Sequence, residues 1–157
     1  MNNKSERGQS LVELAISLVV LLYLLSGAVE LGILFFQYVQ LRDAAQEGAL
    51  YGSTKPYDLP GIEARIRGAS GSPIDLQSPD VTIKISADGI DSGDAAYYTK
   101  ACEGWGIKVE VSFTHKVFMP FMPKIIGRDT IPLTGSVTDT ILSPYKPTTP
   151  APCSPPP

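Results

Sequence analysis

Residues 14–36 read LAISLVVLLYLLSGAVELGILFF, and this run decides the architecture. It holds one charge, Glu30, and no proline. Its 23 positions, as an α-helix rising ~1.5 Å per residue, reach ~35 Å, enough to cross a ~30 Å hydrocarbon core with some tilt. Gly27 and Gly32 are compatible with a membrane helix. A core helix of a soluble protein would carry a polar stripe, and the residues that follow are too few to wrap one of this length. Before the run, Met1–Gly8 carries Lys4 and Arg7 against Glu6. Positive charge on that side predicts a cytoplasmic N-terminus, with the chain from about Gln37 onward outside. Ser26-Gly27-Ala28 offers an alternative, a signal-peptidase site with cleavage after Ala28. Apolar sequence resumes at once in Leu31–Phe36, however, where a removed segment would give way to polar residues.

The rest of the composition narrows the function. The chain has 157 residues, 43% apolar and 18% charged, with net charge −3. An isoelectric point near 5.1 and the lack of a Lys/Arg cluster argue against nucleic-acid binding, which depends on neutralising phosphates. Two cysteines and one histidine are too few for a disulfide-dense scaffold or a Cys/His zinc cluster. His115 stands alone between Thr114 and Lys116, outside any Ser/His/Asp or Cys/His grouping. No glycine-rich loop follows a strand in phosphate-cradling fashion. The sequence therefore points to no enzyme, no cofactor and no small-molecule substrate.

The approach to the apolar run reads Arg7-Gly8-Gln9-Ser10-Leu11-Val12-Glu13-Leu14. A carboxylate inside such a run costs ~2.5 kcal/mol or more, so Glu13 needs a partner, a proton or a route to the interface. Gly8 with Glu13 at this offset resembles the processing site of type IV prepilins and pseudopilins. The wording GQSLVELA, then Glu30-x-Gly32, then FQYVQLRDAAQEG over Phe36–Gly48, is most similar to TadE-like proteins of the Tad (Flp) pilus system. The resemblance covers residues 7–52. It implies cleavage after Gly8 by a prepilin peptidase, a new and usually methylated N-terminal Gln9, and pairing of Glu13 with the freed amine of a neighbouring subunit. It also implies the inner (cytoplasmic) membrane and other pilins or pseudopilins as partners. In a low-dielectric bundle that amine and carboxylate compensate each other where neither is tolerable alone. Glu30 lies 17 residues after Glu13 and points ~100° away from it. A second contact between subunits and snorkelling to the outer boundary both stay open for it.

Beyond the membrane, residues 37–52 lack proline and place Tyr38, Leu41, Ala45, Gly48 and Gly52 at three- and four-residue steps. This predicts that the helix continues as an amphipathic spine with a narrow seam of small residues. A short helix is expected over Asp58–Gly68, with Ile62 and Ile66 inward and Pro60 in its first turn. Val81–Ile85, Ile107–Phe113 and Ile131–Leu142 alternate as strands of an antiparallel sheet with one buried face. Ala87–Gly106 reads as a loop; its Asp88, Asp91 and Asp94 do not follow calcium-loop spacing, and its Trp105 reads as a packing anchor. Lys116–Lys124 (KVFMPFMPK) reads as an apolar patch that either covers the core or docks another subunit. The tail Ser143–Pro157 is too proline-rich for a helix or strand. In an oxidising compartment, its Cys153 is a candidate to pair with Cys102.

The resulting organisation is a leader over 1–8, a transmembrane and spine helix over 9–52, an extracytoplasmic α+β domain over 53–142 and a proline-rich tail over 143–157. Two other readings lead to different chemistry: an uncleaved, signal-anchored binding domain, or a secreted binding domain beginning at Val29.

Overall fold

The computed structural model describes residues 4–69, 72–120, 122–142 and Cys153. One helix, α1 (Lys4–Thr54), runs through the apolar segment and on into the C-terminal domain without a break. Its 51 residues extend ~76 Å at ~1.5 Å each. It stops where the chain meets Pro56, which has no N–H to continue the ladder. The Ser53 and Thr54 hydroxyls donate back to the Leu50 and Tyr51 carbonyls at 2.8 and 2.9 Å, satisfying acceptors in the last turn.

The second helix, α2 (Leu59–Gly68), starts at Asp58, whose carboxylate accepts from the Gly61 N–H at 3.1 Å. The Tyr51 hydroxyl donates to the same carboxylate at 2.7 Å. These two bonds, with the nearby Lys55 charge, hold the Asp58 carboxyl below its usual range. Pro60 sits in the first turn, and Ile62 and Ile66 are buried, as their spacing predicts.

Four antiparallel strands follow: β1 (Thr82–Ala87), β2 (Ile90–Asp91), β3 (Gly106–Lys116) and β4 (Thr130–Thr140), in the order β2-β1-β3-β4. The architecture is the expected α+β one, a long N-terminal helix packed by a small antiparallel sheet. The alternation of β3 puts Ile107, Val109, Val111 and His115 on the buried face. Lys108 and Glu110 lie on the other face and pair at 2.6 Å.

Two expectations need correction. The stretch Ala87–Gly106 is not all loop, because it contributes β2 and the one-turn helix α3 (Tyr97–Lys100). Tyr97 is fully buried, and its hydroxyl donates to the Pro56 carbonyl at 2.8 Å. Burial raises its pKa. A Tyr97-Tyr98 pair in a segment with no apolar periodicity gives no signal of which ring is buried, so the place of Tyr97 in the core was not readable. Lys116–Lys124 likewise leads into a short helix, α4 (Met122–Ile126), with Val117 and Met119 buried.

The seam on α1 also differs from its predicted composition. Tyr38 is 41% exposed, and Gln37 and Gln40 are buried in its place. Gln40 is accommodated by two backbone bonds to Ile74: its amide donates to the carbonyl at 2.8 Å and its oxygen accepts from the N–H at 2.7 Å. A buried amide matched in this way costs little. The rest of the seam is made of Leu41, Ala44, Ala45, Gly48, Ala49 and Gly52. A Cβ on Gly48 would sit 2.5 Å from Ile66 Cγ1, and one on Gly52 2.7 Å from Ile107 Cδ1. The small residues therefore receive α2 and β3 of the chain's own domain. β4 comes closer still: a Cβ on Gly135 would lie 2.5 Å from the Arg42 nitrogen and 2.6 Å from the Leu41 carbonyl carbon.

Cys102 and Cys153 are joined by a disulfide, with Cα atoms 5.9 Å apart and a sequence separation of 51. Closing a loop of that size contributes up to ~4 kcal/mol by chain entropy. The rest of the proline-rich tail lies outside the described residues.

Gly135→Ala is expected to destabilise the domain by ~1–3 kcal/mol, because helix backbone cannot yield to the added methyl. Gly93→Ala, where a Cβ meets nothing within 4 Å, serves as the control. Thermal unfolding of the full chain in detergent should lower the melting temperature of the first variant and leave the second near wild type.

Candidate functional site

The sequence-predicted residues separate into two places along α1. Gly8, Gln9 and Glu13 lie in its first turns, on a surface exposed all round. Among the described residues Glu13 makes no hydrogen bond and no ion pair. The helix from Leu11 to Leu25 is flanked almost wholly by exposed Leu, Val and Ile. This is the one described helix long and apolar enough to cross a membrane.

Glu30 has a different environment. It is 7% exposed, although its neighbour Leu31 is 68% exposed. Its Oε1 lies 2.8 Å from His115 Nε2 and accepts the Phe118 backbone N–H at 3.1 Å. His115, at the end of β3, is 1% exposed and packs edge-on against the Phe118 ring at 5.9 Å. With Glu30 ionised, the carboxylate can only accept, so the imidazole carries a proton on Nε2. Below this pair, Met119 Cε would lie 3.5 Å from a Cβ on Gly27, one turn nearer the N-terminus. Sequence leaves Glu30 between a neighbouring subunit and outward snorkelling. The structure finds it a partner 85 residues along its own chain.

The geometry follows from how β3 runs along the helix. Ile107 meets Gly52 and Val109 approaches Gly48, while His115 reaches Glu30. From Gly52 to Glu30 is ~33 Å of helix, and from Ile107 to His115 is ~26 Å of strand. The strand therefore runs down the spine, side-chain reach covers the remaining length, and its last inward residue arrives near the C-terminal end of the apolar run. A carboxylate there without donors would carry the full cost of burial; two donors offset it.

Sequence reasoning missed this contact, yet a signal was present. His115 shares the odd-numbered register of Ile107, Val109 and Val111, which is the buried face. It is the chain's single histidine, and Glu30 is the single acid between Leu14 and Phe36. Two solitary polar groups on buried faces, a carboxylate and an imidazole, are natural partners.

The acidic loop organises turns. Asp94 accepts from the Ala96 N–H at 2.8 Å. Lys100 pairs with Asp88 at 3.3 Å and lies over the ring of buried Trp105 at 3.9 Å. Among the described residues, no group of three or more His, Cys, Asp or Glu is placed to hold a metal ion.

The stretch that carries Gly8, Glu13 and Glu30 is also the stretch with relatives. Residues 8–50 match the family model of TadE-like proteins. The match begins at Gly8 and ends on the seam, before α2 and the sheet. No curated protein and no solved structure matches the chain. The Glu30–His115 pair thus joins the TadE-like segment to a domain that lies outside the match.

Glu30→Ala and His115→Ala should each destabilise the outer domain by roughly 3 kcal/mol, since each leaves a buried polar partner unmatched. The double variant should cost much less than the sum. Denaturant unfolding of the detergent-solubilised chain, followed by Trp105 emission, measures this coupling; additive losses would show that the two residues act independently.

Proposed function

We propose that this chain is a TadE-type pseudopilin: cut by a prepilin peptidase after Gly8, held in the membrane by Leu14–Phe36 with its N-terminus cytoplasmic, and acting as a minor or assembly component of a Tad-type pilus. The observation that carries this reading is the family match over residues 8–50, which opens at Gly8 and includes Glu13. Three features support it. The helix is continuous across the proposed cut and on into the outer domain, so the mature chain would begin as a membrane helix. Glu30 is engaged within the chain, which leaves Glu13 as the carboxylate available for the freed amine of Gln9 on a neighbouring subunit. The Cys102–Cys153 bond suits a domain outside the cytoplasm, where disulfides persist. The work is done by packing and pairing between helices, with no catalytic step.

A signal-peptidase cut after Ala28 fits less well. It would remove Gly27, which Met119 covers, and leave Glu30 as the second residue of the new chain.

N-terminal sequencing of the protein from cells that contain a prepilin peptidase should give Gln9. A start at Met1 would identify an uncleaved anchored domain and a start at Val29 a secreted one; either overturns the proposal. Glu13→Ala should be processed normally yet enter a pilus-associated complex roughly a hundredfold less well, the equivalent of ~3 kcal/mol for an unpaired buried charge. Quantitative immunoblotting of the assembled fraction reads this effect, and wild-type incorporation of the variant would refute the pairing role of Glu13.

A further inference from the structure

The connection between β3 and β4 leaves Phe118 74% exposed and Ile126 40% exposed, beside the membrane helix. Its height along α1 is set by two contacts. The Phe118 amide bonds Glu30, and Met119 covers Gly27, ~4.5 Å further toward the N-terminus. The apolar run of α1 continues past Glu30 for six residues, ~9 Å, to Phe36. Along those residues Leu31, Phe35 and Phe36 are each about two-thirds exposed. The connection thus lies alongside, and partly below, a length of helix whose own free surface is hydrocarbon-like. Exposed Lys116, Lys124 and Arg128 flank the apolar residues, as headgroup-contacting cations flank an interfacial segment.

We propose that this connection is a second membrane contact. Phe118 and Ile126 insert into the leaflet where the Leu31–Phe36 end of α1 emerges, and the flanking cations meet lipid phosphates. The occupant is the bilayer, because the slab that covers Leu31, Phe35 and Phe36 is at the same level and continuous with the patch. The consequence is mechanical. The domain is held to the membrane by a helix and a loop, and it cannot rotate about the helix axis without dragging the loop through lipid.

The test uses the full chain in phosphatidylcholine–phosphatidylglycerol vesicles with bromine on the acyl chains. Phe118→Trp places a reporter at the patch, and its exposed position lets the larger ring fit without repacking the core. Trp105 provides an internal control, since it is buried at the opposite end of β3, ~33 Å away. The Phe118→Trp signal should be blue-shifted and lose most of its intensity, most strongly with bromines ~5–10 Å below the headgroup boundary. The wild-type emission should be unaffected. A reporter with water-like emission overturns the proposal. So does a blue-shifted reporter that bromine leaves unquenched, the result expected if a second protein copy covers the patch. Flotation of the wild-type chain with the vesicles reports the membrane span separately, so failure of the span and failure of the loop contact are distinguishable.

Discussion

A carboxylate set near the end of a hydrocarbon-like helix has to be given donors, and in this chain that requirement shapes everything beyond the helix. Glu30 is met by an imidazole at the far end of β3 and by the Phe118 backbone amide just beyond it. For His115 to arrive there, the strand must run down the spine along its whole length. Its neighbours are then committed to the same face, and the β3–β4 connection is brought to the level of Gly27. One polar contact therefore specifies where the domain sits along the helix, while the apolar contacts above it supply most of the burial. Hydrophobic packing alone is poorly directional, and a seam of Ala and Gly would tolerate a sheet shifted by a turn. A buried, hydrogen-bonded polar pair does not, in the way a single polar residue pins the register of a coiled coil.

The seam contributes closeness where the pair contributes register. Gly48, Gly52 and Gly135 each stand where a methyl group would collide with a neighbouring side chain or backbone. The two helices and the sheet approach within contact distance because these positions lack a Cβ. Gln40, facing Ile74, closes the gap that the loop after α2 would otherwise leave in the core. The disulfide ties Cys153 to the end of the domain away from the apolar half of α1.

The two acids of the apolar segment then have distinct tasks on the proposed reading. Glu30 is consumed inside the chain and orients the domain. Glu13 is left exposed on the helix, where none of the described residues of its own domain bonds it, and so is suited to a partner outside the chain. Both lie within the stretch that matches TadE-like proteins, whereas His115 lies outside it. The helix and its acids thus form a unit on which the C-terminal domain is positioned by one inward-facing imidazole and the amide beside it.

The long helix, its junction with the outer domain, the Asp58 cap with Ile62 and Ile66 inward, and the three main strands with their buried faces were all legible, because each rests on local periodicity, proline placement or capping chemistry. The expected strand stopped at Phe113, two residues short of His115, although the same odd-numbered alternation extends to it in β3. What local pattern could not supply was which distant groups meet: that Glu30 pairs with His115, that Gln37 and Gln40 displace Tyr38 from the seam, and that Tyr97 leaves an acidic loop for the core. Those outcomes depend on the height at which the sheet docks along the helix. That height is a property of the folded chain, decided where the cost of an unpaired carboxylate, the space above three glycines and the reach of one strand are satisfied together.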